Sequence, residues 1–249
     1  MINRFSLLAV VFVLTINWLY AAKNRVGLLV AVEIESVVSK YGHPVNKEFA
    51  GGFEVLRYKN KYYELCVVNS GVGEIAAAAA TQMLIDVYDV KMVVNFGVVG
   101  GLTEEMSLAK TCIVEKAVHY DFDLSQLDSV AIGQYPNFMD IYLYPDKTLI
   151  EKALSICPYL KKVTCASGDK FVSLPEEKFK LHRDFGADIC EMESAAIILT
   201  CNRNKIPCLL IKAVSDSLVG GGGEFYSELK KTSDICFFVT DKLIKEMKL

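Results

Sequence analysis

Residues 62–101 read YYELCVVNSGVGEIAAAAATQMLIDVYDVKMVVNFGVVGG, and this stretch decides the fold. Tyr62–Asn69 is apolar and rich in β-branched residues, which predicts a strand. Ser70-Gly71-Val72-Gly73 breaks it, and alanine-rich Glu74–Tyr88 predicts a helix. Lys91–Phe96 is then a continuous apolar run of the kind buried on both faces of a parallel sheet. Strand, glycine turn, helix and buried strand together describe α/β architecture.

The alternation extends in both directions. Toward the N-terminus, Val26–Val32 predicts a strand and Gly51–Lys61 a hairpin-like stretch. Toward the C-terminus, strands are predicted at Thr111–Val118, Lys162–Ala166, Ile189–Met192 and Cys208–Val214. Helices are predicted at Asp146–Ser155, Pro175–Phe185, Ser194–Asn204 and Glu224–Met247. With no internal repeat and no low-complexity linker, residues 23–249 read as one domain. Its expected architecture is a three-layer α/β/α arrangement around a twisted, largely parallel or mixed central sheet.

Residues 1–22 stand apart. One positive charge at Arg4, the apolar run Phe5–Leu14 broken only by Ser6, and the small pair Ala21-Ala22 have the order of an export signal. Asn17 interrupts a stretch already short for a membrane span. An exported protein with no stable membrane span after signal cleavage is therefore expected, or a cytoplasmic one if the segment is not a signal. The eight cysteines contain no CxxC pair, so buried thiols are the default, with one or two bridges compatible with export. Three histidines without Cys/His spacing argue against a metal site, and a formal net charge of −3 without a basic stripe argues against nucleic acid.

Ligands of such sheets bind beyond the carboxyl ends of the strands. That rule selects Glu33 and Glu35, Ser70–Gly73, Asn95–Gly101, Ser167–Phe171, Glu191–Glu193 and Ser215-Asp216. Acidic groups at apolar strand tips suit acid/base chemistry on a polar small molecule. Gly71-Val72-Gly73-Glu74-Ile75-Ala76 has the form of a dinucleotide fingerprint, but the next strand ends in Asn95-Phe96-Gly97 and not in the carboxylate that would hold a ribose. No Gly-Lys-Ser/Thr follows either, which excludes a P-loop.

Taken in order, Ala31-Val32-Glu33-Ile34-Glu35, Ser70-Gly71-Val72-Gly73, Asn95-Phe96-Gly97 through Gly100-Gly101, Ser167-Gly168-Asp169-Lys170-Phe171, Glu191-Met192-Glu193 and Val214-Ser215-Asp216 resemble the 5′-methylthioadenosine/S-adenosylhomocysteine nucleosidases of the purine nucleoside phosphorylase superfamily. The resemblance runs from residue 26 to about residue 245. It implies a nucleoside phosphorylase-like fold, no cofactor, a homodimer, and hydrolysis of an adenine nucleoside to adenine and a ribose derivative. It also assigns roles. Asp216 is the leaving-group acid, oriented by Ser215, and Glu35 holds the attacking water. Glu193 grips the ribose hydroxyls with Met192 against the sugar. Phe171 stacks on the base, the Val172 backbone reads its edge, and Val32 and Phe225 wall the 5′ pocket.

Three positions depart from the family pattern. Val98 stands where serine is usual, Phe96 where threonine is usual, and Lys212 where arginine is usual. The first and third bear on how the water is held, since lysine is a point charge and not a planar fork. A phosphorylase would need several arginines for a phosphate dianion. The five present (Arg4, Arg25, Arg57, Arg183, Arg203) all lie off the strand tips, so water is the expected nucleophile. A phosphate-dependent enzyme and a non-catalytic exported homologue of storage or adhesin type are the alternatives.

Overall fold

A computed structural model describes residues 24–247. The expected signal over residues 1–22 lies outside the described residues, among which no helix is long and apolar enough to cross a membrane. Ten strands run β1 (Asn24–Val30), β2 (Asn46–Ala50), β3 (Phe53–Lys59), β4 (Tyr63–Asn69), β5 (Met92–Gly101), β6 (Thr111–His119), β7 (Tyr142–Leu143), β8 (Lys161–Ser167), β9 (Ile189–Glu191) and β10 (Cys208–Asp216). Six helices accompany them: α1 (Ile34–Tyr41), α2 (Glu74–Tyr88), α3 (Lys147–Ile156), α4 (Pro175–Phe185), α5 (Ser194–Asn204) and α6 (Gly222–Glu246).

The sheet is mixed. β4, β1, β5 and β10 are parallel neighbours, as are β6, β8 and β9, whereas β2–β3, β3–β4, β5–β9 and β6–β10 pair antiparallel. β5 bonds to β1, to β10 and to β9, and β10 continues through β6 and β8 back to β9. One end of the sheet is thus curled into a closed ring, β5–β10–β6–β8–β9, while β4, β3 and β2 extend from it as an open wing.

Both faces of the central strands are apolar, as a sheet covered on two sides requires. Along β1, Val26, Leu28 and Val30 join one core and Leu29 the other; along β4, Leu65 and Val67 face one way and Cys66 and Val68 the other. Helices α2 and α5 close one core through Ala77, Ala80, Leu84, Ile197, Ile198 and Cys201. Helices α1, α3 and α6 close the other through Val37, Ile150, Ala153, Phe237, Leu243 and Ile244. α4 covers a smaller third cluster by Leu181, against Val118, Ala166 and Ala187. All eight cysteines are buried free thiols.

Several element boundaries differ from the sequence reading. β1 ends at Val30, and residues 34–41 form α1, whose apolar positions Ile34, Val37, Val38 and Tyr41 have helical spacing. The hairpin is wider than expected, because β2 and β3 flank the Gly51-Gly52 turn. β5 runs through its three glycines to Gly101 instead of stopping at Phe96.

Candidate active site

A cavity of about 480 Å³ opens at the carboxyl edge of β1, β5, β9 and β10. Its lining includes Val32, Val98, Phe171, Met192, Glu193, Ser215, Asp216 and Phe225, so residues chosen from six separate stretches of sequence meet at one place. Val172 is buried against a small adjoining pocket shared with Phe171, Met192 and Asp216.

The position of Glu35 corrects the sequence reading. Because α1 begins at Ile34, Glu35 sits in its first turn, exposed, and does not line the cavity. Glu33, two residues earlier, precedes the helix, is buried and lines the cavity. Its Oε2 accepts from the N–H groups of Ala31 (3.1 Å) and Val32 (2.9 Å), and its Oε1 accepts from the N–H of Val98 at 3.0 Å. The bond at Val98 comes from the backbone, so the missing serine hydroxyl leaves this carboxylate anchored.

Asp216 arrives by a bulge. The β5–β10 register breaks between Val214 and Asp216, which turns the last residue of a fully buried strand toward the cavity. The Ser215 hydroxyl lies 3.0 Å from Asp216 Oδ1 and 3.3 Å from the Val99 carbonyl oxygen. On the other side, the Lys178 ammonium of α4 donates to Asp216 Oδ2 at 2.6 Å, and also to the carbonyls of Ser217 (2.6 Å) and Gly220 (3.1 Å). Burial pushes the Asp216 carboxyl up, and Lys178 pulls against that rise. A side chain on Gly100 would stand 3.0 Å from both Asp216 Oδ2 and Cys190 Sγ, so only glycine leaves this floor open.

Glu191 and Glu193 divide two tasks. Glu191 is structural: Lys212 donates to its Oε2 at 2.8 Å, and the backbone N–H groups of Glu193 and Ser194 donate to it as well. Burial alone would raise its carboxyl, but the Lys212 ammonium and these donors hold it below its ordinary value. Lys212, in turn, is fully buried; burial works against its charge, yet Glu191 and Glu193 keep it above the usual lysine range. Glu193 has one oxygen occupied, Oε1 accepting from Gly73 N–H at 2.9 Å, and its carboxyl is pushed up to about 7 by burial and then by Glu191. Gly73 holds φ +104°, and a Cβ there would come within 2.9 Å of Asp169 Oδ1. The Ser70–Gly73 turn therefore serves to bring an N–H to Glu193.

The Ser167–Phe171 stretch is tied down to present its ring. Asp169 Oδ1 accepts from Glu74 N–H at 2.7 Å, and Asp169 N–H donates to Asp121 Oδ2 at 3.0 Å. Phe171 stays 44 % exposed, edge-on to Phe225 at 5.3 Å. Behind the cavity, Glu74 is buried and bridged by the Ser167 hydroxyl (2.5 Å) and Ala196 N–H (2.5 Å). Burial, then Glu191, push its carboxyl up to about 8. Among the described residues no cluster of His, Cys, Asp or Glu is disposed to hold a metal ion.

Two buried residues at the site escaped the sequence reading, Lys178 on Asp216 and Glu74 behind the cavity, while Glu33 was selected as a strand-tip residue but given no role. For Glu33 a signal existed, the helical spacing from Ile34 to Tyr41. For Lys178 none did, since Pro-Glu-Glu-Lys-Phe-Lys reads as a solvated helix start.

A nucleoside-sized cavity lined by buried carboxylates at the carboxyl edge of a mixed sheet defines an α/β enzyme acting on a small polar molecule. The phosphorylase superfamily model matches residues 25–242. A 5′-methylthioadenosine/S-adenosylhomocysteine nucleosidase of Hydrogenovibrio crunogenus is 30 % identical over 200 residues, covering 77 % of this chain and 85 % of the relative. An aminodeoxyfutalosine nucleosidase of Campylobacter jejuni is 28 % identical over 68 % of this chain and 73 % of its own length. A crystal structure of the Helicobacter pylori 5′-methylthioadenosine/S-adenosylhomocysteine nucleosidase with butyl-thio-DADMe-Immucillin-A superposes with a TM-score of 0.85 at 25 % identity, covering 90 % of this chain and 99 % of that one. The chain belongs to the phosphorylase superfamily and, within it, to the enzyme family of the 5′-methylthioadenosine/S-adenosylhomocysteine nucleosidases.

Proposed function

We propose that this chain hydrolyses the N-glycosidic bond of 5′-substituted adenine nucleosides, such as 5′-methylthioadenosine and S-adenosylhomocysteine, with water as the nucleophile. The charge balance of the cavity carries this reading. Its two buried lysines are already engaged, Lys178 by Asp216 and Lys212 by Glu191. Among the described residues no lysine or arginine forms an ion pair with Glu33 or Glu193. A phosphate dianion would meet unpaired carboxylates there, whereas a neutral water would find an acceptor in Glu33.

In this reading the purine lies against Phe171 and Val172, with its N7 toward Asp216. Met192 and Glu193 hold the ribose, and Glu33 orients the water below C1′. Asp216 protonates N7 as the C1′–N9 bond breaks; the water oxygen bonds to C1′ and its proton passes to Glu33. The 5′ group rests on Val32, Val72, Phe225, Tyr226 and Leu229, an apolar wall that suits a thioether better than a free hydroxyl. A homodimer belongs to this reading: Val72, which lines the cavity, is half-exposed and Ile75, three residues on, is 82 % exposed, an apolar pair that a second copy would cover. Export of the mature domain is the accompanying proposal for localisation.

The test is adenine release by the purified chain lacking residues 1–22, from methylthioadenosine, adenosylhomocysteine, aminodeoxyfutalosine and adenosine, with and without phosphate. Phosphate-independent release is expected. Release only with phosphate refutes hydrolysis, and a preference for aminodeoxyfutalosine moves the substrate assignment to that nucleoside.

A further inference from the structure

The general acid assigned to Asp216 must carry a proton to the purine, yet its Oδ2 faces an ammonium at 2.6 Å. Lys178 is 0 % exposed and spends its three hydrogens on Asp216 and on the Ser217 and Gly220 carbonyls, the loop that leads from β10 into α6. No other lysine or arginine pairs with Asp216 among the described residues. We infer that Lys178 is the positioning residue of the leaving-group acid: its buried ammonium fixes the Asp216 side chain on the cavity floor and sets the charge that Asp216 carries between turnovers. The inference rests on the nucleosidase reading for what Asp216 does, and on geometry alone for the pair itself.

The surroundings support it element by element. From β9, Cys190 packs beside Asp216 at Gly100. From α6, Glu224 accepts from Ser217 N–H at 2.6 Å, and its charge opposes a second negative charge at Asp216. From β10 itself, Ser215 meets Oδ1. The acidic neighbour on α4, Glu177, turns outward to Lys170 at 2.6 Å. Among the described residues Lys178 is thus the one cation facing Asp216. In the free enzyme an ammonium on Oδ2 favours the carboxylate, so the proton that the base needs is scarce at neutral pH and turnover falls on the alkaline side. Without Lys178, only the Ser215 hydroxyl still opposes the effect of burial, and Asp216 keeps its proton to higher pH.

The experiment compares kcat and KM across pH for the wild-type chain, Lys178→Met, Lys178→Gln and Lys178→Arg, with folding verified by thermal melting. The expected result is that the alkaline fall in kcat moves upward by about one pH unit or more in the methionine and glutamine variants. Their best kcat should drop about tenfold from lost alignment while KM changes little, and Lys178→Arg should keep the wild-type profile. Folded variants with an unmoved profile overturn the inference. Carbon-13 labelling of aspartate decides the case even where both neutral variants fail to fold. The carboxyl signal absent from Asp216→Asn must report a carboxylate in the wild-type chain at pH 7, and a carboxylic acid there overturns the inference. A wild-type chain that releases adenine from no nucleoside at any pH refutes the nucleosidase reading, while the labelled-aspartate measurement still judges the pair.

Discussion

Glu193 offers the sharpest test of how the sugar is held. One of its oxygens is committed to Gly73 N–H, which leaves the other free, in the proposed reading, to accept from the ribose hydroxyls, and it accepts well only when ionised. With the carboxyl pushed up to about 7, about one-eleventh of the protein carries the charge at pH 6 and about ten-elevenths at pH 8. The purine of an adenine nucleoside does not titrate in this window. Affinity for a carbon-linked analogue that cannot be cleaved should therefore strengthen about tenfold from pH 6 to pH 8, equivalent to ~1.4 kcal/mol. Isothermal titration calorimetry at several pH values reads this directly, apart from any effect of Asp216 on turnover. Glu193→Gln should abolish the dependence. It should also weaken binding at pH 8 by ~1.5–3 kcal/mol, the loss expected for hydrogen bonds to a charged acceptor. Affinity that stays flat between pH 6 and 8 in the wild type, or a slope that survives in Glu193→Gln, would refute the reasoning.

Three further outcomes follow from the same geometry. Glu33→Gln should lower kcat by about 10²-fold or more with the fold intact, while Glu35→Gln should turn over close to wild type; the reverse order would return the water to Glu35. Lys212→Met should destabilise the fold by ~3–5 kcal/mol in a denaturant melt near pH 7, because Glu191 is left buried without its cation. The Glu191 carboxyl is depressed in the folded state, so its contribution is present at neutral pH and fades as pH falls; the penalty should shrink toward pH 4, and a pH-independent penalty would count against the pair. Glu74, in contrast, is raised to about 8 when folded, so the protein loses stability as pH climbs from the ordinary carboxylate range toward 8. Glu74→Gln, which mimics the protonated group, should remove a loss of about 3 kcal/mol between pH 5 and pH 8; parallel stability curves would show that Glu74 is ionised in the fold.

The α/β class was legible because its signals are local. A helix such as Glu74–Tyr88 or Ser194–Asn204 announces itself by composition and by the glycine or acidic turn that opens it, and both matched the structure residue for residue. The collinear strand tips likewise named most of the cavity lining. What stayed hidden depends on distant partners. The closure of β5, β10, β6, β8 and β9 into a ring rests on pairings such as Gly100 with Cys190, which no window of sequence contains. Lys178 lies 38 residues from the aspartate that explains its burial. Lys212 drew attention as a group near the water, but a carboxylate 21 residues away takes its hydrogen bond. The Glu33/Glu35 difference was of another kind: a helix start was read as a strand tip, and the helix turns Glu35 outward while Glu33 lines the cavity.

The ring has a mechanical consequence. Asp216, the proposed acid, ends β10; Glu193, the proposed sugar grip, follows β9; Phe171, the proposed purine platform, follows β8; and the Val98 N–H that anchors Glu33 belongs to β5, all strands of one closed hydrogen-bonded belt. A belt has no free edge along which one strand slides past its neighbour, so the spacing between acid, sugar grip and water is fixed as a set. The 5′ wall is attached elsewhere, to the end of β1 by Val32 and to α6 by Phe225, Tyr226 and Leu229. Substitutions on that wall are free to retune which 5′ group is accepted without loosening the frame in which the bond is broken.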